Sequence, residues 1–89
     1  MTNGSSPLAP EAALGWLRSL SVDIREAAVL DAAGAVLAGD RALASAVPAR
    51  RVIVVASQGH GIAVRHGRRA LEGLLRADME AALEALERP

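Results

Sequence analysis

Beginning at Pro10 the apolar residues fall into helical spacing. Ala13, Trp16, Leu17 and Leu20 recur at i, i+3, i+4 and i+7, the signature of one buried helix face, and predict a helix over residues 10–20. Pro10 suits the first turn, where its missing N–H costs nothing. Glu11 beside it meets the positive end of the helix dipole. The segment 21–23 ends the helix, and Trp16 is expected in the core with Leu17 and Leu20.

The pattern then shortens. Two apolar stretches, residues 27–30 and 35–38, flank Asp31-Ala32-Ala33-Gly34. Asp favours the start of a tight turn and Gly tolerates the positive φ that closes it, so residues 24–39 read as a β-hairpin. Asp40 is placed to cap a short helix over residues 41–47, with Leu43 and Val47 on one face and Pro48 limiting its length. Val52-Ile53-Val54-Val55-Ala56 is apolar throughout, which predicts a strand covered on both faces, hence a central strand. Residues 57–61 form a turn. Residues 62–66 return as a strand with Ile62, Val64 and His66 on one face and Ala63 and Arg65 on the other, and Gly67 ends it.

The last element is a helix over residues 69–86. Its apolar stripe is Leu71, Leu74, Leu75, Met79, Ala82, Leu83 and Leu86, and its wet side carries Glu72, Arg76, Glu80, Glu84 and Glu87. Gly73 marks either close packing or the true start of that helix. The expected fold class is therefore α/β: an α-β-β-(short α)-β-β-α order, a four-stranded antiparallel sheet, and helices mainly on one face. Residues 1–9 read as a flexible tail and residues 10–89 as one domain.

Composition sharpens this picture. A chain of 89 residues buries only about 60% of its unfolded surface. With no cysteine to add disulfides or thiolate metal sites, oligomerisation is one of the few remaining sources of stability. Only one short helix is left for the second face of the sheet, so that face is expected to be covered by another copy of the chain. Leu43, Val47, Val52, Val54 and Ala56 are the candidate dimer-interface residues.

The 10 basic and 10 acidic residues cancel, which removes any bulk attraction to nucleic acid or anionic lipid. Every basic residue is Arg and Ala is abundant, a composition typical of a GC-rich, bacterial genome. No apolar run approaches the ~20 residues that span a bilayer, and the N-terminal residues do not read as a signal peptide, so no membrane partner and a cytoplasmic location are expected.

Few residues offer chemistry. His60 and His66 do not share a helical face, and neither Cys nor a nearby carboxylate completes a metal set, so no metal is expected. Ser57 lacks the G-x-S-x-G setting of a nucleophile, and no catalytic residue is assigned. Gly59-His60-Gly61 lacks the spacing and the Lys of a phosphate loop, and no cofactor is expected. Arg65-His66-Gly67-Arg68-Arg69 is the densest basic cluster, and Arg65, Arg68 and Arg69 are the candidate contacts for a phosphate or an acidic partner. Zero net charge and the lack of stacking aromatics argue against nucleic acid. Arg50-Arg51 reads as a polar lead into a strand.

The hairpin over residues 28–38 and the apolar–Gly–apolar run Ala70-Leu71-Glu72-Gly73-Leu74-Leu75 resemble the opening hairpin and the start of the last helix in roadblock/LC7 domains. The resemblance extends in element order over residues 10–87. The middle helix predicted here is shorter than the family's, and there is one strand fewer. The resemblance implies a non-enzymatic, homodimeric scaffold that contacts a small GTPase or another signalling or motor component. It also implies dimerisation through the middle helix and the strand after it, here residues 41–47 and 52–56. A profilin-like module holding a small ligand against the sheet is the alternative.

Overall fold

The computed structural model describes residues 8–88. The elements are α1 (Pro10–Leu20), β1 (Ile24–Asp31), β2 (Val36–Gly39), a single 3-10 turn (Arg41–Leu43), β3 (Val52–Ala56), β4 (His60–His66) and α2 (Glu72–Leu86). The strands form one antiparallel sheet in the order β2-β1-β4-β3. β1 and β4 pair from Ile24 opposite His66 to Asp31 opposite His60.

The β1–β2 hairpin closes as the Asp-x-x-Gly pattern predicts. Asp31 Oδ1 accepts the N–H groups of Ala33 (2.8 Å) and Ala35 (2.9 Å), and Gly34 adopts φ 89°. The Asp31 N–H donates to the Ala35 carbonyl at 2.9 Å, giving a three-residue loop with glycine in its left-handed position.

Both helices pack on one face of the sheet. Ala13, Leu14 and Leu17 of α1 and Leu75, Met79, Ala82 and Leu86 of α2 meet Ala27, Val29, Ile53, Val55, Ile62 and Val64. The helices are antiparallel, tied at one end by the Leu8 N–H to the Ala85 carbonyl (3.0 Å). At the other end the Ser21 hydroxyl donates to Asp78 (3.0 Å). The second face holds a smaller cluster, Ala28, Leu30, Leu43 and Ala63, edged by Val36, Ala46 and Val54. Small side chains on β1 and β4 let one irregular segment lie close enough to close most of it.

Several expectations are corrected. The helix over residues 41–47 is only the 3-10 turn Arg41–Leu43. Asp40 does not cap it, because its carboxylate is drawn away to the Ala27 N–H (2.9 Å) and to Arg18 (3.4 Å). Ser45 then takes φ 55° and donates its N–H to the Gly34 carbonyl (2.8 Å), which stops any continuation. As a result Leu43 is buried inside the protomer and Val47 is 69% exposed. β3 is an edge strand, not a central one.

The helical faces are rotated from the predicted stripes. Ala13 and Leu17 are buried as predicted, but Trp16 and Leu20 lie 40% and 52% exposed, and Leu14, outside the predicted stripe, joins the core in their place. Leu71 and Leu74 also face outward: α2 begins at Glu72 rather than at residue 69, which leaves Leu71 ahead of the helix, and in its first turn Leu75 takes the core position. β4 starts at His60, two residues before the predicted strand. Of the expected tail, residues 1–7 lie outside the described residues, while Leu8 already packs against the core.

Gly39 shows how tightly β2 and α1 close over β1. It has φ 97°, and a Cβ there would meet the Ala27 carbonyl, the Ala28 Cα and the Leu14 side chain. Gly39→Ala should therefore cost at least about 1 kcal/mol and lower the thermal midpoint by about 4–8 °C or more, as read by a circular-dichroism melt.

Candidate functional site

Three loops converge at the end of the sheet where β4 finishes. The first precedes β1. Asp23 adopts φ 62°, accepts the Arg69 N–H on Oδ2 (2.9 Å) and holds Arg25 on Oδ1 (2.8 Å). Its carbonyl also accepts the Gly67 N–H at 2.9 Å, so the segments before β1 and after β4 are stapled together. The Arg69 N–H foremost, and then Arg25, hold the Asp23 carboxyl below the ordinary aspartate range.

The second loop precedes β3. Residues 49–52 make a tight turn in which the Val52 N–H donates to the Ala49 carbonyl (3.0 Å). Arg51 is in the left-handed region at φ 61°, a conformation that costs a non-glycine residue roughly 1–3 kcal/mol. It is retained because the Arg51 carbonyl accepts the His66 N–H (2.9 Å), continuing the β3–β4 ladder past the last paired strand residue.

The third loop follows β4 and carries Arg68 and Arg69. Together the loops form an open cleft of about 470 Å³ lined by Arg25, Arg50, Arg51, Arg65, His66, Gly67 and Arg68. An adjoining depression is lined by Asp23, Arg25, Arg68 and Arg69. Two of these guanidinium groups have carboxylate partners: Arg65 with Glu26 (2.7 Å) and Arg25 with Asp23 (2.8 Å). Glu26 holds the Arg65 guanidinium more firmly protonated, chiefly through that hydrogen bond. Among the described residues, Arg50, Arg51 and Arg68 form no salt bridge.

Of the predicted partner-binding residues, Arg65 and Arg68 line the cleft and Arg69 sits in the depression beside it. Arg25, Arg50 and Arg51 join them, although the sequence reading gave them no such role. A signal existed for Arg51: counting back along the β3–β4 hairpin from the Ser57–His60 turn places it opposite His66. His66 itself is buried and satisfied, with Nδ1 donating to the Gly67 carbonyl (2.9 Å) and Nε2 facing Glu72 (2.7 Å).

A second feature is the free edge of β3. The Ser57 N–H bonds the His60 carbonyl, so the odd-numbered residues of β3 face β4 and the even-numbered ones face outward. Val52 spends its outward groups on Ala49. The outward N–H and C=O of Val54 and Ala56 remain at the edge, on a strand with no charge, proline or bulge. Val52 and Val54 are half-buried on the second face and Ala56 is exposed.

At the far end of the sheet, Ser57, His60 and Glu87 meet. The Ser57 hydroxyl donates to Glu87 Oε2 (2.6 Å), and His60 Nδ1 lies 2.9 Å from the same oxygen. The serine thus bonds the acid and not a ring nitrogen, which is the wrong order for a nucleophile and its base. The arrangement instead ties the β3–β4 hairpin to the end of α2. The Ser57 hydroxyl and then His60 hold the Glu87 carboxyl below the usual glutamate range. Among the described residues no group of three metal-ligating side chains is assembled, and no helix is long and apolar enough to cross a membrane.

No protein-family model, curated protein or solved structure matches the chain.

The two lowered carboxylates set an acid limit on stability. Each contribution is complete above the ordinary values of 3.8 for Asp23 and 4.5 for Glu87, and is lost as pH falls through the lower folded values. Thermal melts taken from about pH 6 down to pH 2 should show a falling midpoint, and Glu87→Gln should flatten part of that fall. Gly67→Ala tests the Asp23 staple: its Cβ would run into the Asp23 carboxyl, and urea unfolding should show a loss of roughly 1–3 kcal/mol.

Proposed function

We propose that this protein is a non-enzymatic interaction module that works as a homodimer in the manner of roadblock/LC7 domains. The observation that carries the reading is the open edge of β3. A second copy related by a twofold axis near Val55 would set Val54 of one copy opposite Ala56 of the other. Four main-chain hydrogen bonds would follow, and the two sheets would run on as one. The half-buried Val52 and Val54, and the exposed Val47 nearby in the chain, supply apolar surface alongside. Leu43 supports this face from within the protomer.

The arginine-rich end lies apart from the edge-facing groups of Val54 and Ala56. It stays exposed in such a dimer, and the dimer as a whole is read as contacting a small GTPase or other signalling partner, in keeping with a cytoplasmic regulatory role. The Ser57–Glu87 bond supports a structural rather than a catalytic role for Ser57.

Light scattering at micromolar concentration should give twice the 9.2 kDa chain mass. Val54→Lys, which places an ammonium group of each copy on the second face beside the pairing edge, should return the mass to that of one chain. Ala56→Pro removes an outward N–H while sparing every β3–β4 bond, and should do the same. Glu84→Lys, on the wet side of α2, should leave the dimer intact. A single-chain mass for the unaltered protein would overturn the reading.

A further inference from the structure

We propose that the arginine cleft is a binding site for a clustered phosphate group, such as the triphosphate or diphosphate portion of a small molecule. The cleft is built entirely from one chain, so the inference stands independently of dimerisation.

Five guanidinium groups line one concavity, and no Asp or Glu is among its lining residues. Glu26 and Asp23 partner Arg65 and Arg25 from outside the lining, which leaves Arg50, Arg51 and Arg68 without a salt bridge among the described residues. Like charges gathered in a concavity repel one another until an anion enters, and the planar fork of arginine matches phosphate oxygens two at a time. A single carboxylate would compensate only one of the three. A metal ion is excluded from direct binding there by the positive field and the lack of acidic ligands.

The scaffold is also preorganised. Arg51 is held at φ 61° by its turn and by the His66 N–H, and Arg25 and the loop bearing Arg68 are stapled through Asp23. The groups that meet the ligand therefore stand on backbone that is already fixed. The cleft volume of about 470 Å³ falls within the range of small-ligand sites. No Phe, Tyr or Trp lines it to stack a base, and the His66 ring is buried and held between the Gly67 carbonyl and Glu72. Glu80, Glu84 and Glu87 lie toward the C-terminal end of α2, which docks on the opposite end of β4. A long nucleic acid would need a continuous basic track, which that acidic end interrupts.

Titration calorimetry with sodium tripolyphosphate at about 0.1 M salt should show saturable binding of one ligand per chain. Arg51→Gly and Arg68→Ser should each weaken it at least about tenfold. Arg51→Gly also relieves the positive φ, so its ligand-free melting temperature should hold or rise, separating lost binding from lost folding. Arg76→Ser, on α2, should bind as the unaltered protein does. Phosphatidylcholine vesicles carrying a phosphoinositide distinguish the source of the phosphates. Capture that is lost in the same variants assigns a lipid headgroup, and tripolyphosphate binding without capture assigns a soluble ligand. The proposal is overturned if tripolyphosphate shows no saturable binding, if both cleft variants bind normally, or if a polyglutamate peptide of equal charge binds as tightly.

Discussion

The pairing of β1 with β4 places every other feature of this molecule. Seven aligned residue pairs at the centre of the sheet run from Ile24 opposite His66 to Asp31 opposite His60. Their inner side chains, Ala27, Val29, Ile62 and Val64, are the floor on which both helices rest. Their outer ones, Ala28 and Ala63, are small enough for the segment bearing Leu43 and Ala46 to lie directly over part of the second face. Because alternate residues point to opposite faces, a slip of one position would exchange these two sets and leave neither layer a fitting floor. The same register brings Arg25 and Arg65 to one end of the sheet and His60 to the other.

Aspartates act as tertiary staples around that pairing. Asp31 closes the first hairpin, Asp40 holds the Ala27 N–H, and Asp23 gathers the ends of β1 and β4. Each accepts a main-chain N–H. In an alanine-rich core, where each side chain removes little area from water, such bonds to charged acceptors carry more of the architecture than they would beneath large aromatics. The cost is local: Asp40 gives up the helix cap its sequence position suggests, and Asp23 adopts a left-handed conformation.

Zero net charge conceals a strong separation of charge. Arg25, Arg50, Arg51, Arg65, Arg68 and Arg69 surround one end of the sheet. Glu87, beyond the last turn of α2, reaches the hairpin at the other end, with Glu80 and Glu84 preceding it along the same helix. Bulk composition therefore speaks to long-range attraction and says nothing about a local field. An apolar free edge on β3 and a positive cleft at the end of β4 are two surfaces of different chemistry on one small scaffold.

The element order, the Asp31–Gly34 turn and the placement of both helices on one face follow from periodicity, because a helix or strand with one apolar side has few ways to hide it. The periodic signal leaves the rotation of a helix uncertain by about one residue, which is why Ala13 and Leu17 are buried as read while Trp16 and Leu20 yield their place to Leu14. An unbroken apolar run such as residues 52–56 looks the same in a central strand as in an edge strand with one face on the core and the other half-covered. Strand order is a long-range property, so only the fold put β3 at the margin. The arginine cleft is likewise tertiary: its guanidinium groups come from β1, from β4, and from the loops before β3 and after β4, which antiparallel pairing brings to one end. The sequence by itself determined which segments could form layers, through local spacing of apolar residues. Only the tertiary structure decided which charges and which strand edge those layers would leave facing solvent, because that depends on contacts between residues far apart in the chain.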